Sequence, residues 1–333
     1  MYCPMDRAAR AHARLAAGAA MMVMAGAAAI AFAQPFTFPV KPVRIIVPFP
    51  PGGGADYITR TAAQKLSAAL GQPFVIENRT GASGNIGTEL VARSAPDGYT
   101  LLSSSSSTIT AAAVSKVSFD VVNDFSHVSM LGSSCLLVSV HPSLPVKTLS
   151  QLVAFARARP GAVNYASSGA GTSAHLVGEV LQQSAGLRLT HVPYKGNPAA
   201  IAGVLGGEVA IAMPNLAAVT TLVKAGRLRA LAVTCDRRTD MLPDVPTVAE
   251  AGYPAVALTS WWGLSAPAGT PREIVSRLGT EVARLVSLPD VQQAFASQGA
   301  EPRAMAPGDF DKYVRAEATR WKAVVEAARI RND

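Results

Sequence analysis

The sequence predicts an α/β protein of two lobes, each built on a doubly wound, mainly parallel sheet, with two strands that cross between the lobes. Strand patterns alternate with helical patterns, and this alternation is typical of parallel sheets covered by helices on both faces. The alternation falls into two series that match each other. In each series the first strand ends in a glycine-rich turn, which we call the first glycine turn (residues 50–54) and the second glycine turn (residues 167–171).

Each predicted strand is a short apolar run, and each predicted helix repeats apolar residues at helical spacing. The first series has strands at residues 43–47, 74–77, 100–103 and 127–131, with helices near 57–70 and 86–94. The second series has strands at residues 163–166, 190–192, 209–213 and 228–234, with helices near 175–184, 198–205 and 216–224. After each series an apolar strand ends at a proline, at residues 136–142 and 261–267, and a capping-box pattern follows. We predict that these two strands cross between the lobes, so the first lobe takes residues 34–134 plus 258–333 and the second takes 135–257.

Residues 1–33 have the pattern of a secretory signal peptide. Three arginines between residues 7 and 14 form a basic start, residues 15–30 are apolar and rich in alanine, and residues 31–33 have the small-x-small pattern of a signal-peptidase site. A retained membrane anchor is the alternative, but the apolar run is short and alanine-rich for a span of about 20 strongly apolar residues. We therefore expect cleavage before Gln34 and export of the mature chain.

The charge pattern argues against a nucleic-acid partner. The formal net charge is +8, and loss of the three Arg and one Asp of the signal lowers it to +6. No block of like charge and no basic stripe with interleaved aromatic residues accompanies this charge, whereas a nucleic-acid reader normally shows one. A diffuse positive charge instead suits weak steering of an acidic ligand.

Cysteines, histidines and serines predict neither a metal site nor a catalytic site. Cys3 leaves with the signal, so Cys135 and Cys235 remain in an oxidising compartment, as one disulfide or as two buried thiols. The five histidines lack a metal-ligand spacing such as His-x-x-x-His. Ser83 and Ser173 lie near glycines, but neither has the Gly-x-Ser-x-Gly pattern of a nucleophile elbow. We expect a protein that is not an enzyme and has no cofactor, with a hydrolase as the alternative from a different class.

The first glycine turn predicts an anion site. Gly52, Gly53 and Gly54 follow the first predicted strand and precede a helical pattern, where unpaired N–H groups and the positive end of the helix dipole attract an anion. The turn lacks the Lys-Ser/Thr pair of a P-loop, so we expect a small acid rather than a nucleotide. The alternative is a turn that only needs glycine at positive φ. Phe49 walls the pocket or only packs, and Asp56 caps the helix or orients a water.

The second glycine turn is the counterpart of the first on the other lobe. Its candidate ligand contacts are Ser168, Gly169, Gly171 and Thr172. The run also fits a loose dinucleotide pattern, but no carboxylate ends the next strand, where a ribose contact would be expected. Ser107 and Thr108 lie where the third strand of the first series ends, and their hydroxyls suit a polar ligand. Because ligands of open parallel sheets bind at the carboxyl ends of strands, we expect all these groups to meet in a cleft between the lobes.

Six short motifs occur in order along the mature chain. They are Lys-Pro-Val-Arg-Ile-Ile-Val-Pro-Phe at residues 41–49 with the first glycine turn, and the runs at residues 77–87, 96–102, 193–196, 242–247 and 266–271. Together they resemble the tripartite tricarboxylate transporter substrate-binding proteins, also called the Bug receptors. The resemblance implies a type II periplasmic binding protein fold and a periplasmic receptor that closes over a small organic acid. It also implies delivery to the membrane permease subunits of a transporter, with the ligand held by loop amides, hydroxyls and ordered water, and we expect a monomer.

One departure from the family pattern affects the predicted ligand site. Family members often carry Val-Asp-x-x-Phe-Asp in and after the third strand of the second lobe, whereas residues 209–215 lack both aspartates and place Pro214 at the cleft end. This altered rim makes Asn215 a candidate ligand contact and argues against transferring any particular family ligand to this chain.

The predicted topology also gives the two remaining cysteines a role. Cys135 starts the first crossing strand and Cys235 ends the antiparallel strand expected beside it, so we predict a disulfide between them. For the function, a sensory receptor of the same fold that feeds a signalling partner is the closest alternative to transport.

Overall fold

The structure is a computed structural model and describes residues 37–328. The predicted signal peptide and its cleavage site lie outside the described residues. Within the described range, no helix is long and apolar enough to cross a membrane.

Strands and helices alternate through the described range. The strands are β1 (Val43–Val47), β2 (Phe74–Asn78), β3 (Thr100–Ser105), β4 (Phe125–Cys135), β5 (Leu137–Val140), β6 (Asn164–Ser167), β7 (Thr190–Pro193), β8 (Ile211–Ala212), β9 (Arg229–Val233), β10 (Thr259–Pro267) and β11 (Glu301–Pro302). The helices are α1 (Gly54–Leu70), α2 (Asn85–Ala92), α3 (Ser106–Val114), α4 (Leu149–Arg157), α5 (Ser173–Ala185), α6 (Asn197–Leu205), α7 (Thr220–Lys224), α8 (Arg272–Leu285), α9 (Pro289–Ser297) and α10 (Pro307–Ala328).

The first sheet has the strand order β11–β4–β10–β3–β1–β2. β1 pairs in parallel with β2 and β3, and β10 lies antiparallel between β3 and β4. The apolar side chains of β1 are fully buried, because α1 and α2 pack against this strand. The first predicted strand thus lies inside the sheet and its carboxyl end leads directly into the first glycine turn.

The second sheet has the strand order β7–β6–β8–β5–β9. β6 pairs in parallel with β7 and β8, and β5 lies antiparallel between β8 and β9. In both sheets most strands therefore run in one direction; β10 and the short β11 run against it in the first sheet, and β5 does so in the second. The predicted α/β fold with two mainly parallel sheets is confirmed.

The chain passes between the two sheets at two places. It leaves the first sheet at Cys135 and enters the second at Leu137, so the strand predicted at residues 136–142 makes the first crossing. It returns through residues 234–258, and the strand predicted at residues 261–267 belongs to the first sheet as part of β10. The exact lobe boundaries stay a prediction.

A disulfide and a shared core connect these crossings to the rest of the molecule. Cys135 and Cys235 are disulfide-bonded, with Cα atoms 5.2 Å apart and a sequence separation of 100. On β10, Trp261 is buried against Phe310 of α10, with an edge-to-face ring distance of 5.4 Å. The same core cluster includes Leu176 of α5, so α10 packs on elements of both sheets.

Two differences from the sequence-based expectation concern the cleft. α1 begins at Gly54, three residues before the expected start near Tyr57. α3 was not among the predicted helices; Ser105 caps it in a capping box with Thr108. Serine is a strong N-cap residue although it is a modest helix former, and Ala111 opens a short alanine run that sustains the helix.

Candidate functional site

The first turns of four helices meet at one cavity. These helices are α1, α3, α5 and α6. They follow β1, β3, β6 and β7, respectively, which form one parallel pair in each sheet. The cavity is lined by Phe49, Pro50, Gly53, Gly54, Ala55, Ser105, Ser107, Leu136, Ser168, Ser173, Ala174, Gly196, Asn197, Pro198, Asn215, Ser260 and Trp262. It therefore lies at the carboxyl ends of strands from both sheets, where ligands of open parallel sheets bind.

The cavity is small and neutral in its side chains. Its volume is about 60 Å³, and it adjoins a second cavity of about 290 Å³ with which it shares lining residues such as Gly54, Asn197 and Trp262. None of the described residues that line either cavity is Asp, Glu, Lys, Arg or His. Any charge on a ligand would therefore meet backbone N–H groups, hydroxyls, amides and helix dipoles rather than a charged side chain.

Asp56 holds the first glycine turn from behind. Its carboxylate accepts hydrogen bonds from the Gly52 N–H at 3.0 Å, from Asn78 Nδ2 at 2.9 Å and from Arg60 Nε at 2.9 Å. Burial alone raises the pKa of Asp56, but hydrogen bonds from Arg60, Asn78 and Gly52 more than offset this, so the pKa lies below its usual value. Asp56 does not line the cavity, and its carboxylate supports the turn that precedes α1.

Gly54 lies in the narrowest part of the site. A Cβ atom at this position would lie 3.1 Å from Trp262 Cζ2 and 3.4 Å from Asn215 Nδ2. Trp262 is buried and pairs across the sheet with Ser105, the cap of α3. Glycine at position 54 thus allows the start of α1 to pack closely against Trp262 and Asn215.

Serine hydroxyls join the two halves of the site. Ser173 Oγ lies 3.0 Å from Ser106 Oγ and 3.3 Å from Ser107 Oγ, which brings the first turns of α3 and α5 together. Ser106 Oγ also lies 3.2 Å from Ser260 Oγ of β10. Ser107 lines the cavity as predicted from its place in the chain. Thr108 does not, because its hydroxyl is engaged with Ser105 in the capping box.

The second glycine turn contributes one side chain to the cavity wall. Ser168 lines the cavity, whereas Gly169, Gly171 and Thr172 do not. Gly169 and Gly171 have φ angles of 140° and 77°, and a Cβ on Gly171 would lie 2.9 Å from the Cα of Ala111 on α3. Thr172 Oγ1 donates a hydrogen bond to the Gly169 carbonyl at 2.8 Å. These three residues shape the turn and its contact with α3.

The structure therefore divides the predicted site residues into two groups. Phe49, Gly53, Gly54, Ser107, Ser168 and Asn215 line the cavity, and Gly52 lines the adjoining one. Asp56, Thr108, Gly169, Gly171 and Thr172 lie behind the wall. The sequence analysis did not select Pro50, Ala55, Ser105, Leu136, Ser173, Ala174, Gly196, Asn197, Pro198, Ser260 or Trp262. Ser173 and Asn197 are the first residues of helices that follow strands, so the rule that selected Gly54 would have found them.

Comparisons with known proteins agree with this geometry. A family model described as tripartite tricarboxylate transporter family receptor matches residues 58–330. Protein BugT of Bordetella pertussis is 40% identical over 292 residues, which cover 87% of this chain and 90% of BugT. Rpa4515 of R. palustris, solved with adipate, is 37% identical with a TM-score of 0.83, over 88% of this chain and 99% of that one. MatC from Rhodopseudomonas palustris, solved with malate, is 31% identical with a TM-score of 0.81, over 86% of this chain and 100% of that one.

These similarities extend over nearly the whole described range and are accompanied by the predicted two-lobed type II fold. The family is one of substrate-binding receptors, so the expectation that the protein is not an enzyme is confirmed. The chain belongs to the tripartite tricarboxylate transporter receptor family of periplasmic solute-binding proteins.

Proposed function

We propose that this protein is a periplasmic receptor that captures a small organic acid between its two glycine turns and delivers it to the permease subunits of a tripartite transporter. The observation that carries the proposal is the convergence of four helix N-termini on a cavity without charged side chains. Each N-terminus carries roughly half a positive charge, so together they stabilise a carboxylate without an arginine.

The lining residues indicate which groups would contact the polar and the apolar parts of an acid bound between the two glycine turns. Ser107, Ser168 and Ser173 supply hydroxyls on one side, and the aromatic ring of Trp262 with Phe49 supplies an apolar wall. The inner cavity of about 60 Å³ shares lining residues with the adjoining cavity of about 290 Å³. A ligand of four or more carbons would extend from the inner cavity into the adjoining one or widen the inner one. The acids held by the two similar structures, malate and adipate, have this size and chemistry.

A binding screen with matched neutral compounds tests the anion argument. Mono-, di- and tricarboxylates would be compared with the corresponding amides by thermal shift and then by calorimetry at pH 7.5. A ligand at 100 times its Kd stabilises the folded protein by about 2.7 kcal/mol, which a thermal shift detects readily. We expect an acid to bind and its amide to fail. Binding of the amides with equal affinity would refute the proposed anion site.

Delivery and location need separate tests. Uptake of the identified acid into vesicles that contain the permease should depend on added receptor, and a receptor that binds but does not support uptake would favour the sensory role. N-terminal sequencing of protein from the periplasmic fraction should begin at Gln34. Size-exclusion chromatography with light scattering should show a monomer.

A further inference from the structure

Four ionisable side chains, two of them buried and two half-buried, form a cluster behind the second glycine turn. The rings of His175 on α5 and His191 on β7 are stacked with centroids 4.0 Å apart, and the Tyr165 ring of β6 lies 4.9 Å from His191. Tyr165 donates a hydrogen bond of 2.5 Å to Glu179 Oε1, and His175 Nε2 lies 3.6 Å from the same oxygen. Both histidines are therefore held on one side by the cluster.

On the opposite side, each histidine forms a hydrogen bond with a residue of the second glycine turn. The Gly171 N–H donates a hydrogen bond of 2.9 Å to His175 Nδ1. His191 Nε2 lies 2.6 Å from Ser167 Oγ, and that hydroxyl donates to the Gly169 carbonyl at 2.9 Å and accepts from the Gly169 N–H at 3.2 Å. The conformation of this turn therefore depends directly on the two imidazoles.

The turn held in this way makes the contact between the two halves of the site. A Cβ added to Gly169 would lie 3.0 Å from Ser83 Oγ, and a Cβ added to Gly171 would lie 2.9 Å from the Cα of Ala111. Both partners belong to elements beside the first sheet, namely the 3₁₀ turn Ala82–Gly84 and α3. The turn packs too closely on these elements to move without loosening the closed site.

This hydrogen-bond arrangement requires an unprotonated Nδ1 on His175. His175 Nδ1 accepts a hydrogen bond from Gly171, so a proton on Nδ1 would remove the acceptor and set two N–H groups against each other. A second positive charge on the stacked ring 4.0 Å away would be repelled by the first. Burial is the main cause that lowers the pKa of His191 to about 4, and Glu179 opposes it.

We propose that His175 and His191 are positioning residues that hold the second glycine turn in its ligand-binding form only while both rings are neutral, so that acidification releases the ligand. This inference rests on the proposed function, because the turn matters only if it closes on a ligand. Release would need no side chain in the cavity to titrate, which agrees with the neutral lining.

The ionisable groups around the cluster point to the two histidines as the members that respond to pH. The groups that act on His191 are His175 and Glu179, and those that act on Glu179 are His175, His191 and Tyr165. α5 also packs against α3 and against the 3₁₀ turn Pro254–Val256, neither of which contains an ionisable residue.

α10 is the remaining neighbour of α5, and it brings ionisable groups that pair with one another. Glu317 accepts a hydrogen bond from Trp321 Nε1 at 3.0 Å and lies 3.8 Å from Arg320 Nη1. Burial raises the pKa of Tyr313 to about 12, so its hydroxyl stays neutral throughout the relevant pH range. We therefore assign the pH response to the two histidines.

The direction of the pH effect follows from proton linkage. A loosened turn exposes imidazoles whose ordinary pKa is near 6.5, whereas the ordered turn keeps His191 neutral down to about pH 4. The ordered turn is therefore fully favoured above pH 6.5 and is lost progressively as the pH falls towards 4. One proton taken up on release gives about a tenfold loss of affinity between pH 7.5 and pH 5.5.

The test compares variants that keep the hydrogen bonds but cannot titrate. Asn at position 175 places an acceptor where Nδ1 lies, and Gln at position 191 places a donor where Nε2 lies. Malate and adipate serve as probes in calorimetry at pH 7.5 and pH 5.5. We expect the wild type to lose about tenfold in affinity, and His175→Asn/His191→Gln to lose less than about twofold. His175→Ala should bind weakly at both pH values, and His175→Asn should restore most of that loss.

Controls separate this mechanism from general acid effects. His141→Asn changes a histidine outside the cluster and should keep the wild-type pH response. Burial lowers the pKa of His127 in the first sheet to about 4, so acid also acts on overall stability, and thermal unfolding at each pH checks that the protein remains folded. A wild-type affinity that is constant with pH, or a double variant with the wild-type pH response, would overturn the proposal.

A second readout works without any ligand and keeps the two proposals distinguishable. Hydrogen exchange of the Gly169 and Gly171 amides, corrected for the intrinsic effect of pH, should show a loss of protection at pH 5.5 in the wild type and none in the double variant. If no carboxylate binds at pH 7.5, the proposed function fails while this measurement still decides the role of the histidines. Equal protection at both pH values in the wild type would refute that role.

Discussion

The two glycine turns face the same cavity but are held by different chemistry. Behind the first, Asp56 accepts hydrogen bonds from Gly52, Asn78 and Arg60, and these bonds keep its pKa below the usual value. Behind the second, the supporting groups are His175 and the Ser167–His191 pair. The first turn thus rests on a carboxylate that stays ionised throughout the physiological range, and the second rests on two stacked imidazoles. Similar backbone shapes can therefore differ in their sensitivity to pH.

The two turns differ also in how tightly they are enclosed. A Cβ added to Gly52 would meet nothing within 4 Å, whereas one added to Gly171 would collide with α3 at Ala111 and Val114. The first turn is fixed from behind by a charge network, and the second is fixed from the front by contact with the other half of the molecule. Each of the following predictions tests one part of this contrast.

The largest effect is expected from removing the disulfide, which joins the two places where the chain passes between the sheets. Cys135→Ser/Cys235→Ser should lower the free energy of unfolding by about 2–4 kcal/mol, because the bond closes a long loop in the unfolded chain. Urea unfolding measures this loss, and affinity at pH 7.5 should change far less because both turns keep their own supports. An unchanged unfolding midpoint, or two free thiols in the unreduced wild type, would contradict the bond.

The second-largest effect is expected from replacing one glycine in the second turn, compared with a glycine in the first turn that has nearly the same φ angle. Gly52 and Gly171 have φ angles of 81° and 77°, so alanine strains the backbone similarly at both. Gly171→Ala adds a clash with α3 that arises when the halves meet, and we expect about a 100-fold loss of affinity, against less than about fivefold for Gly52→Ala. Calorimetry measures both, and Gly161→Ala, with a φ of 78° and open space around it, is the matched control. Equal losses at positions 52 and 171 would remove the contrast.

A smaller effect is expected from the support of the first turn. Asp56→Asn removes the ionised acceptor shared by Gly52, Asn78 and Arg60, and we expect about a tenfold loss of affinity without a new pH dependence. Asp309→Asn removes an exposed carboxylate at the start of α10 and serves as the control. Titration at pH 7.5 and 5.5 checks both parts, and a steep pH response in the Asp56 variant would show that the first turn is not the rigid partner.

The smallest effect is expected where the serines join the two halves. Ser260→Ala removes a hydroxyl that lies 3.2 Å from Ser106 Oγ beside the cavity, and one hydrogen bond of this kind contributes roughly 1 kcal/mol. We expect affinity to fall by about two- to fivefold. Ser297→Ala, on the exposed side of α9, should leave it unchanged. A loss above about 50-fold would place Ser260 in direct contact with the ligand and make the serines, rather than the turns, the main determinant.

The features of the fold that depend on neighbouring residues could be predicted from the sequence. The buried strand at residues 43–47, the helix start after it and the two repeating series follow from apolar spacing and glycine position, which depend on near neighbours. Sequence reasoning missed α3, because the serine run has weak helix propensity and its capping box becomes clear only when Ser105 ends a strand. It placed Asp56, Thr108 and Thr172 among ligand contacts, whereas their side chains bond to the backbone or to the residues that support the turns.

By itself the sequence determined the α/β class, the two-sheet organisation, the glycine turns and the family to which the chain belongs. Only the tertiary structure decided that four helix N-termini share one cavity, that Trp262 faces Gly54 while Trp261 enters the core, and that two histidines stand behind the second turn. The physical reason is distance along the chain. Turns and helix starts depend on residues a few positions apart, whereas the contact between Gly171 and Ala111 depends on the packing of two separately formed sheets.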